Sequence, residues 1–225
     1  MEIPLHGAAG AAGIIDITPS KVVCVGVNYG AHAAEMGKPL PDEPILFLKA
    51  PSAVIGPGVS IELPPGYERI DHEAELAVVI GRRCRDVLGA RALEYVLGYT
   101  CLNDVSVRDL QRKDGQWARA KSFDTFCPVG PRVVTGLDPG ALAIACRLNG
   151  DTRQSSTTAD LIFDVPTLIE FISHVMTLEP GDVISTGTPS GVGPLAPGDR
   201  VEIEIEGIGV LANPVISRTA AEPRR

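Results

Sequence analysis

Glu73 and Glu75 stand two residues apart in Asp71-His72-Glu73-Ala74-Glu75-Leu76, at the head of the apolar run Leu76 to Ile80. Side chains at i and i+2 of a strand face the same way, so both carboxylates point to one side of a stretch that reads as buried. Like charges repel there, and burial raises the cost; a cation would remove it. Asp104, at the end of the strand-like run Gly98 to Leu102, offers a third carboxylate. Three such groups with no Cys or His among them suit a hard ion with oxygen ligands, Mg²⁺ or Mn²⁺, with Ca²⁺ as another occupant. A lone Glu-x-Glu is more often a solvated acidic edge, so its neighbours decide. If a helix begins at Asp104, then Asp104, Arg108 and Gln111 fall at i, i+4 and i+7 on one face, with Asp104 as N-cap. Arg is suited to bidentate capture of a substrate carboxylate. Taken alone, that face would be a solvated Asp–Arg pair.

His32 and Glu35 lie at i and i+3 after the strand-like run Lys21 to Val27, so one helical turn brings them together. A histidine oriented by a carboxylate is the basic acid–base pair, yet spacing alone favours a surface helix with a weak ion pair. Thr188 sits in the turn Gly187-Thr188-Pro189-Ser190-Gly191, where backbone N–H groups and a hydroxyl can bind a carboxylate. That turn is not G-x-S-x-G and lacks the lysine of a P-loop, so serine-hydrolase and nucleotide readings fail on spacing. His72 faces away from Glu73 along the strand and reads as structural. His174, in the apolar stretch Leu168 to Met176, reads as a core or rim histidine.

Four stretches in register carry a resemblance. They are Glu73-x-Glu75, Asn103-Asp104-Val105-Ser106-Val107-Arg108-Asp109, Ala120-Lys121-Ser122-Phe123-Asp124-Thr125-Phe126-Cys127-Pro128-Val129-Gly130-Pro131, and Thr186-Gly187-Thr188-Pro189-Ser190-Gly191-Val192-Gly193. Together they resemble the fumarylacetoacetate hydrolase family from about Lys21 to Val215, in the form of its small single-module bacterial members. Those are often labelled 2-hydroxyhepta-2,4-diene-1,7-dioate isomerases, 5-carboxymethyl-2-hydroxymuconate isomerases, acylpyruvases or oxaloacetate decarboxylases. The resemblance implies a strand-rich, mixed α/β fold, a compact β-roll with peripheral helices, and a homodimer. It makes Glu73, Glu75 and Asp104 the metal ligands. Asn28-Tyr29-x-x-His32-x-x-Glu35 matches a lid that orders over substrate, with His32 and Glu35 activating water and Tyr29 in contact with substrate. Lys121 takes the place of a lysine beside the metal, and Lys49 of a second one that contacts substrate; without the resemblance, Lys49 reads as a snorkelling edge-strand lysine. Trp117 borders the site on the same ground.

The implied chemistry is an enolate of a small anionic 2-oxo acid, stabilised by a metal that chelates its carboxylate and 2-oxo oxygens. Water attack then gives C–C hydrolysis, loss of CO₂ gives decarboxylation, and proton relocation gives isomerisation or tautomerisation. His32-Glu35 places hydrolysis or decarboxylation ahead of isomerisation. The non-enzyme account, a β-domain with a structural Ca²⁺, explains the three carboxylates but leaves His32, Arg108, Gln111 and Lys121 without a task.

The elements that must position these groups read mostly as strands: Lys21 to Val27, Ile45 to Lys49, Glu75 to Ile80, Gly98 to Leu102, Ala143 to Asn149, Asp182 to Ser185 and Arg200 to Glu206. Asn149-Gly150 signals a hairpin turn. Helical patterns cover Ala90 to Leu97, Val105 to Lys113 and Pro166 to Met176. Residues 1–20 read as a short lead-in, 21–218 as one catalytic domain and 219–225 as a tail. The chain of 225 residues suffices for one sizeable core. No apolar run reaches the ~20 residues of a membrane span, and the mildly apolar Ala8 to Ile15 has no basic region before it, so neither membrane nor signal peptide is expected. A net charge of −8 without a long basic run argues against nucleic acid. Five cysteines, an odd number without C-x-x-C, read as buried free thiols of a reducing, cytoplasmic setting.

Overall fold

The computed structural model describes residues 1–7 and 12–219. The central element is the strand Ala74–Ile80, buried along its whole length. It pairs antiparallel with Val96–Asn103 on one side and with Val183–Ser185 on the other. The sheet runs on through Cys127–Thr135, Glu2–Gly7 and Ala12–Asp16 in one direction, and through Val22–Gly26 and Ile45–Lys49 in the other. A second sheet joins Asp151–Thr157, Ala143–Leu148, Arg200–Ile205, Gly209–Ser217 and Ile61–Leu63, and a third, small one joins Ser106–Val107, Ile70–His72 and Gly193–Pro194. The implied β-roll is thus three hydrogen-bonded sheets around one principal core.

Period-2 alternation divides the central strands between two apolar layers. Leu76, Val78 and Ile80 pack with Ile144, Ile203 and Leu211 of the second sheet. Ala77 and Val79 face the other way, with Val22, Cys24, Leu102 and Val129. Glu75 shares the face of Ala77, so it enters the second layer, at the end where the helices sit. Four α-helices are described: α1 Gly30–Glu35, α2 Arg108–Asp114, α3 Ala118–Lys121 and α4 Val165–Val175. Only α4 is long. Asp164 caps it, its side chain accepting from Thr167 N at 2.9 Å, and a proline follows in its first turn.

Several expectations are corrected. Ala90 to Leu97 is not an α-helix; Gly89–Tyr95 is a 3₁₀ segment and the chain is already in a strand from Val96. The helix expected from Val105 begins at Arg108, because Ser106–Val107 first pairs with Ile70–His72. Val107, not Asp104, is the residue before that helix. Residues 1–20 are more than a lead-in. Glu2–Gly7 and Ala12–Asp16 form a hairpin whose first strand lies parallel to Cys127–Thr135. Asn149 and Gly150, at φ 56° and 90°, make the expected turn between Ala143–Leu148 and Asp151–Thr157. Residues 8–11, within the apolar stretch from Ala8, and 220–225 of the expected tail lie outside the described residues. No helix among the described residues is long and apolar enough to cross a membrane.

Candidate active site

Glu73, Glu75 and Asp104 meet at one point. A ligand oxygen from each lies within 4.8 Å of the others, and all three residues are buried. The backbone dictates this. Glu75 is the second residue of Ala74–Ile80, and Glu73 sits in the single-residue break between Ile70–His72 and that strand. Asp104 follows the end of Val96–Asn103, its N–H donating to Glu73 O at 2.9 Å. The ladder between the two strands therefore carries all three carboxylates.

Cations surround the triad unevenly. Lys121 Nζ donates to Glu73 Oε2 at 2.8 Å and to Asp104 Oδ2 at 2.6 Å. Lys49 Nζ donates to Asp104 Oδ1 at 2.5 Å and to Val105 O at 3.2 Å. Burial pushes the Glu73 carboxyl up, but Lys121 and Arg108 outweigh it and hold the group below the usual carboxylate range. Glu75 has no such cation in contact; Ser185 Oγ and Gly187 N donate to its Oε2. Burial, then the Asp104 and Glu73 charges, push its carboxyl well above the ordinary value. A buried all-oxygen set that still holds one carboxylate against like charge fits a hard divalent ion, which would supply the missing positive charge.

Arg108 stands at the start of α2. Its Nε donates to the buried Asp71 Oδ2 at 2.8 Å, and its Nη1 to Gln111 Oε1 at 2.8 Å. Nη2 lies 2.6 Å from Glu73 Oε1 in an ion pair, so the guanidinium spans Asp71, Glu73 and Gln111 at the wall of the cleft. A guanidinium held at a cleft wall is suited to meet an incoming carboxylate. Arg108 and Gln111 share the helix face as expected. Asp104 reaches the same site from the loop before α2 rather than from the helix itself.

The narrow cleft over this site is lined by His32, Glu73, Glu75, Arg108, Gln111, Lys121 and Thr188, together with Phe47, Trp117 and Lys38. His32, on α1, is 6% exposed; its Nδ1 is 3.0 Å from Glu35 Oε2. A carboxylate oxygen can only accept, so Nδ1 carries a proton, and Nε2 is the nitrogen left to exchange one. Glu35 also accepts from Gly191 N at 3.1 Å, which ties α1 to the turn that holds Thr188. Thr188 Oγ1 donates to Ala74 O at 2.9 Å and accepts from Gln154 Nε2 at 2.8 Å. The turn thus donates to the triad's own strand through Gly187 and Thr188 and to α1 through Gly191, and Thr188 stands in the cleft wall.

Four assigned residues, Asp104, Glu35, Lys49 and Tyr29, do not line this cleft. Lys49 is buried behind Asp104 and neither snorkels nor faces the cleft. Tyr29 is buried before α1, in a bridge to Leu161, with its hydroxyl unpartnered. His72 is buried, as its strand position implied, with Nδ1 3.3 Å from Gln154 Oε1. His174 is exposed on α4. The five cysteines are free and buried; burial pushes the Cys127 thiol up to about 12, so no thiolate is available as a nucleophile.

Sequence reasoning missed Asp71, Ser185 and Gln154. Asp71 lies inside the first motif, where a third acidic residue was the available signal. Gln154 gave none. It reaches Ala74 N at 2.9 Å only because Asp151–Thr157 folds back under the motif.

Residues 21–216 match the family described as fumarylacetoacetate (FAA) hydrolase C-terminal. With that match on the strand-borne site above, the chain belongs to this family. Among solved structures it is similar to 5-carboxymethyl-2-hydroxymuconate delta-isomerase from Mycobacterium smegmatis, at 53% identity and a TM-score of 0.86, covering 94% of this chain and 87% of that one. It is also similar to the fumarylacetoacetate hydrolase of Exiguobacterium antarcticum, at 42% identity and a TM-score of 0.82, over 92% of this chain and 82% of that one. The mitochondrial oxaloacetate tautomerase FAHD2A of Bos taurus is 48% identical over 210 residues, 88% of this chain and 67% of that protein.

Proposed function

We propose that the protein is a divalent-metal-dependent enzyme that acts on small 2-oxo acids through their enolate form. One observation carries this reading: a buried carboxylate triad, a guanidinium and a histidine oriented by a carboxylate come together at one cleft, whose wall holds Glu73, Glu75, Arg108 and His32. A Mg²⁺ or Mn²⁺ ion held by Glu73, Glu75 and Asp104 would supply Lewis acidity that favours the enolate of a 2-oxo acid.

The chain's own residues do the rest. Arg108, at the cleft wall, offers its guanidinium to the substrate carboxylate. Burial pushes the Lys121 ammonium down, but Asp104 and Glu73 outweigh it and hold its pKa above the ordinary value. Lys121 therefore stays charged and serves as a donor to a substrate oxygen rather than as a base. His32, with Nδ1 committed to Glu35, takes or returns a proton at Nε2 on the lid side of the cleft. Phe47 and Trp117 keep that side apolar and restrict bulk water.

Within this chemistry two readings stand level. Proton relocation, as tautomerisation or isomerisation, needs His32 and nothing more, and the isomerase and tautomerase names of two relatives support it. C–C hydrolysis needs His32 to activate a water. The lid pair and the hydrolase relative support it, with decarboxylation as the variant that needs no base. A side-by-side assay of oxaloacetate, acetylpyruvate and a 2-hydroxymuconate-type dienoate with Mg²⁺ or Mn²⁺ separates them. Metal-dependent turnover of at least one is the expected result, and turnover of none would contradict the proposal.

A further inference from the structure

Lys38, Arg108 and Lys121 are the lysines and arginines that line the cleft. Two are engaged with the protein's own carboxylates: Lys121 with Glu73 and Asp104, and Arg108 with Asp71 and Glu73. Lys38 forms no ion pair among the described residues. Its ammonium lies instead over the Trp117 ring, 5.2 Å from the centroid. That ring is fixed in turn. It meets Phe47 edge-on at 5.2 Å, and it packs so closely on Gly26 that a Cβ there would lie 2.6 Å from it. A cation held over a fixed aromatic face, at the rim of an anion-binding cleft and with no carboxylate of its own, is placed to receive one.

Its position in the chain adds a mechanical consequence. Lys38 follows α1 directly, and its backbone N–H donates to Ala33 O at 2.9 Å, so it moves with the helix that carries His32. A ligand anchored at Arg108 and Lys121 that also reached Lys38 would hold α1 down over itself.

Resting on the function proposed above, we propose that Lys38 is a receptor for a second carboxylate, and that the cleft selects dicarboxylic 2-oxo acids over monocarboxylic ones of the same chain length. The inner acid group lies at Arg108 and Lys121, and the outer one on Lys38. A site that offers a charge to the second acid group favours the diacid over an analogue that lacks that group.

The test is calorimetric titration of the whole protein with Mn²⁺ present. Matched pairs are compared: 2-oxoglutarate with 2-oxopentanoate, and 2-oxoadipate with 2-oxohexanoate. Oxalate, too short to span the cleft, serves as the inner-site control. The wild type should bind at least one diacid about ten- to a hundredfold tighter than its monoacid, the worth of one charge-assisted hydrogen bond. Lys38→Met, a surface change of similar length, should bring that ratio close to one and leave oxalate affinity unchanged. No diacid preference in the wild type, or a preference that survives Lys38→Met, would overturn the proposal. A preference lost instead in Arg112→Met would move the outer group to the neighbouring cleft that Arg69, Arg112 and Val192 line, and would overturn it too. If oxalate itself fails to bind in a Mn²⁺-dependent way, the proposed function falls first, and this inference with it.

Discussion

At the residue scale the site is a set of charges that the fold brings together and does not fully balance. Glu73 and Asp104 each receive a lysine, Glu75 receives a hydroxyl and an N–H group, and Arg108 is shared between Asp71 and Glu73. The acid–base task falls to His32, because it is the histidine in the cleft wall and Glu35 orients its ring. His32→Ala should lower the rate of proton relocation or C–C hydrolysis by roughly 10²–10⁴, the usual worth of general acid–base help. Oxalate affinity should change little, since Arg108 and Lys121 hold the anion, and decarboxylation should survive better because it needs no base. Steady-state kinetics on oxaloacetate and acetylpyruvate, beside an oxalate titration, check this. An unchanged rate on both would make His32–Glu35 an ordinary ion pair of a surface turn.

At the element scale the short helices are the weak points. A six-residue helix cannot sustain itself in water, and α1 has no side-chain N-cap. It is held by the buried Ala33 and by the Glu35 contact with Gly191. Residues 28–38 should therefore exchange amide hydrogen readily when free, and gain protection with Mn²⁺ and oxalate. No gain would remove the lid role. The sheet is pinned more firmly. The buried Asp182 side chain accepts from Ser20 N, Lys21 N and Glu179 N and pairs with Lys21, tying Val22–Gly26 to Val183–Ser185. Burial pushes its carboxyl up, but the Glu179 N–H, Lys21 and Ser20 outweigh it and hold it below 3.8. A depressed folded pKa gives stability that is present above the unfolded value and lost as pH falls through the folded one. Asp182→Ala should thus cost about 3 kcal/mol at neutral pH, and progressively less in acid; urea unfolding at several pH values measures it. A cost that does not shrink in acid would show that shape, not charge, pins the sheet.

Much of this was legible because strands announce themselves locally. The burial of Ala74–Ile80 follows from its composition, and Asn149-Gly150 from its turn chemistry. Ser106–Val107 was not legible, since two residues carry no period and pair only because Ile70–His72 lies beside them. That pairing delays α2 to Arg108 and leaves Asp104 in the loop. Lys49 is buried rather than snorkelling for a related reason. Its register against Val22 sends it under Asp104, and register is set by the partner strand.

At the scale of the whole molecule one end of the large sheet is open. Ile45–Lys49 is the last strand in its order, and Leu40, Ile45 and Leu48 beside it are exposed. Natural proteins cover such an apolar edge, so we expect a homodimer. Light scattering should give about twice the chain mass of 23.7 kDa at micromolar concentration, and the chain mass alone would contradict it. The central claim, however, is the ion at the triad. It is tested most directly by measuring Mn²⁺ binding and oxaloacetate turnover together in the metal-stripped wild type and in Glu73→Gln and Asp104→Asn. The account predicts one tightly held ion per chain, turnover that returns only when the ion is restored, and loss of both in each variant while circular dichroism stays native. Full turnover in the stripped protein, or ion binding and turnover retained in both variants, would contradict it.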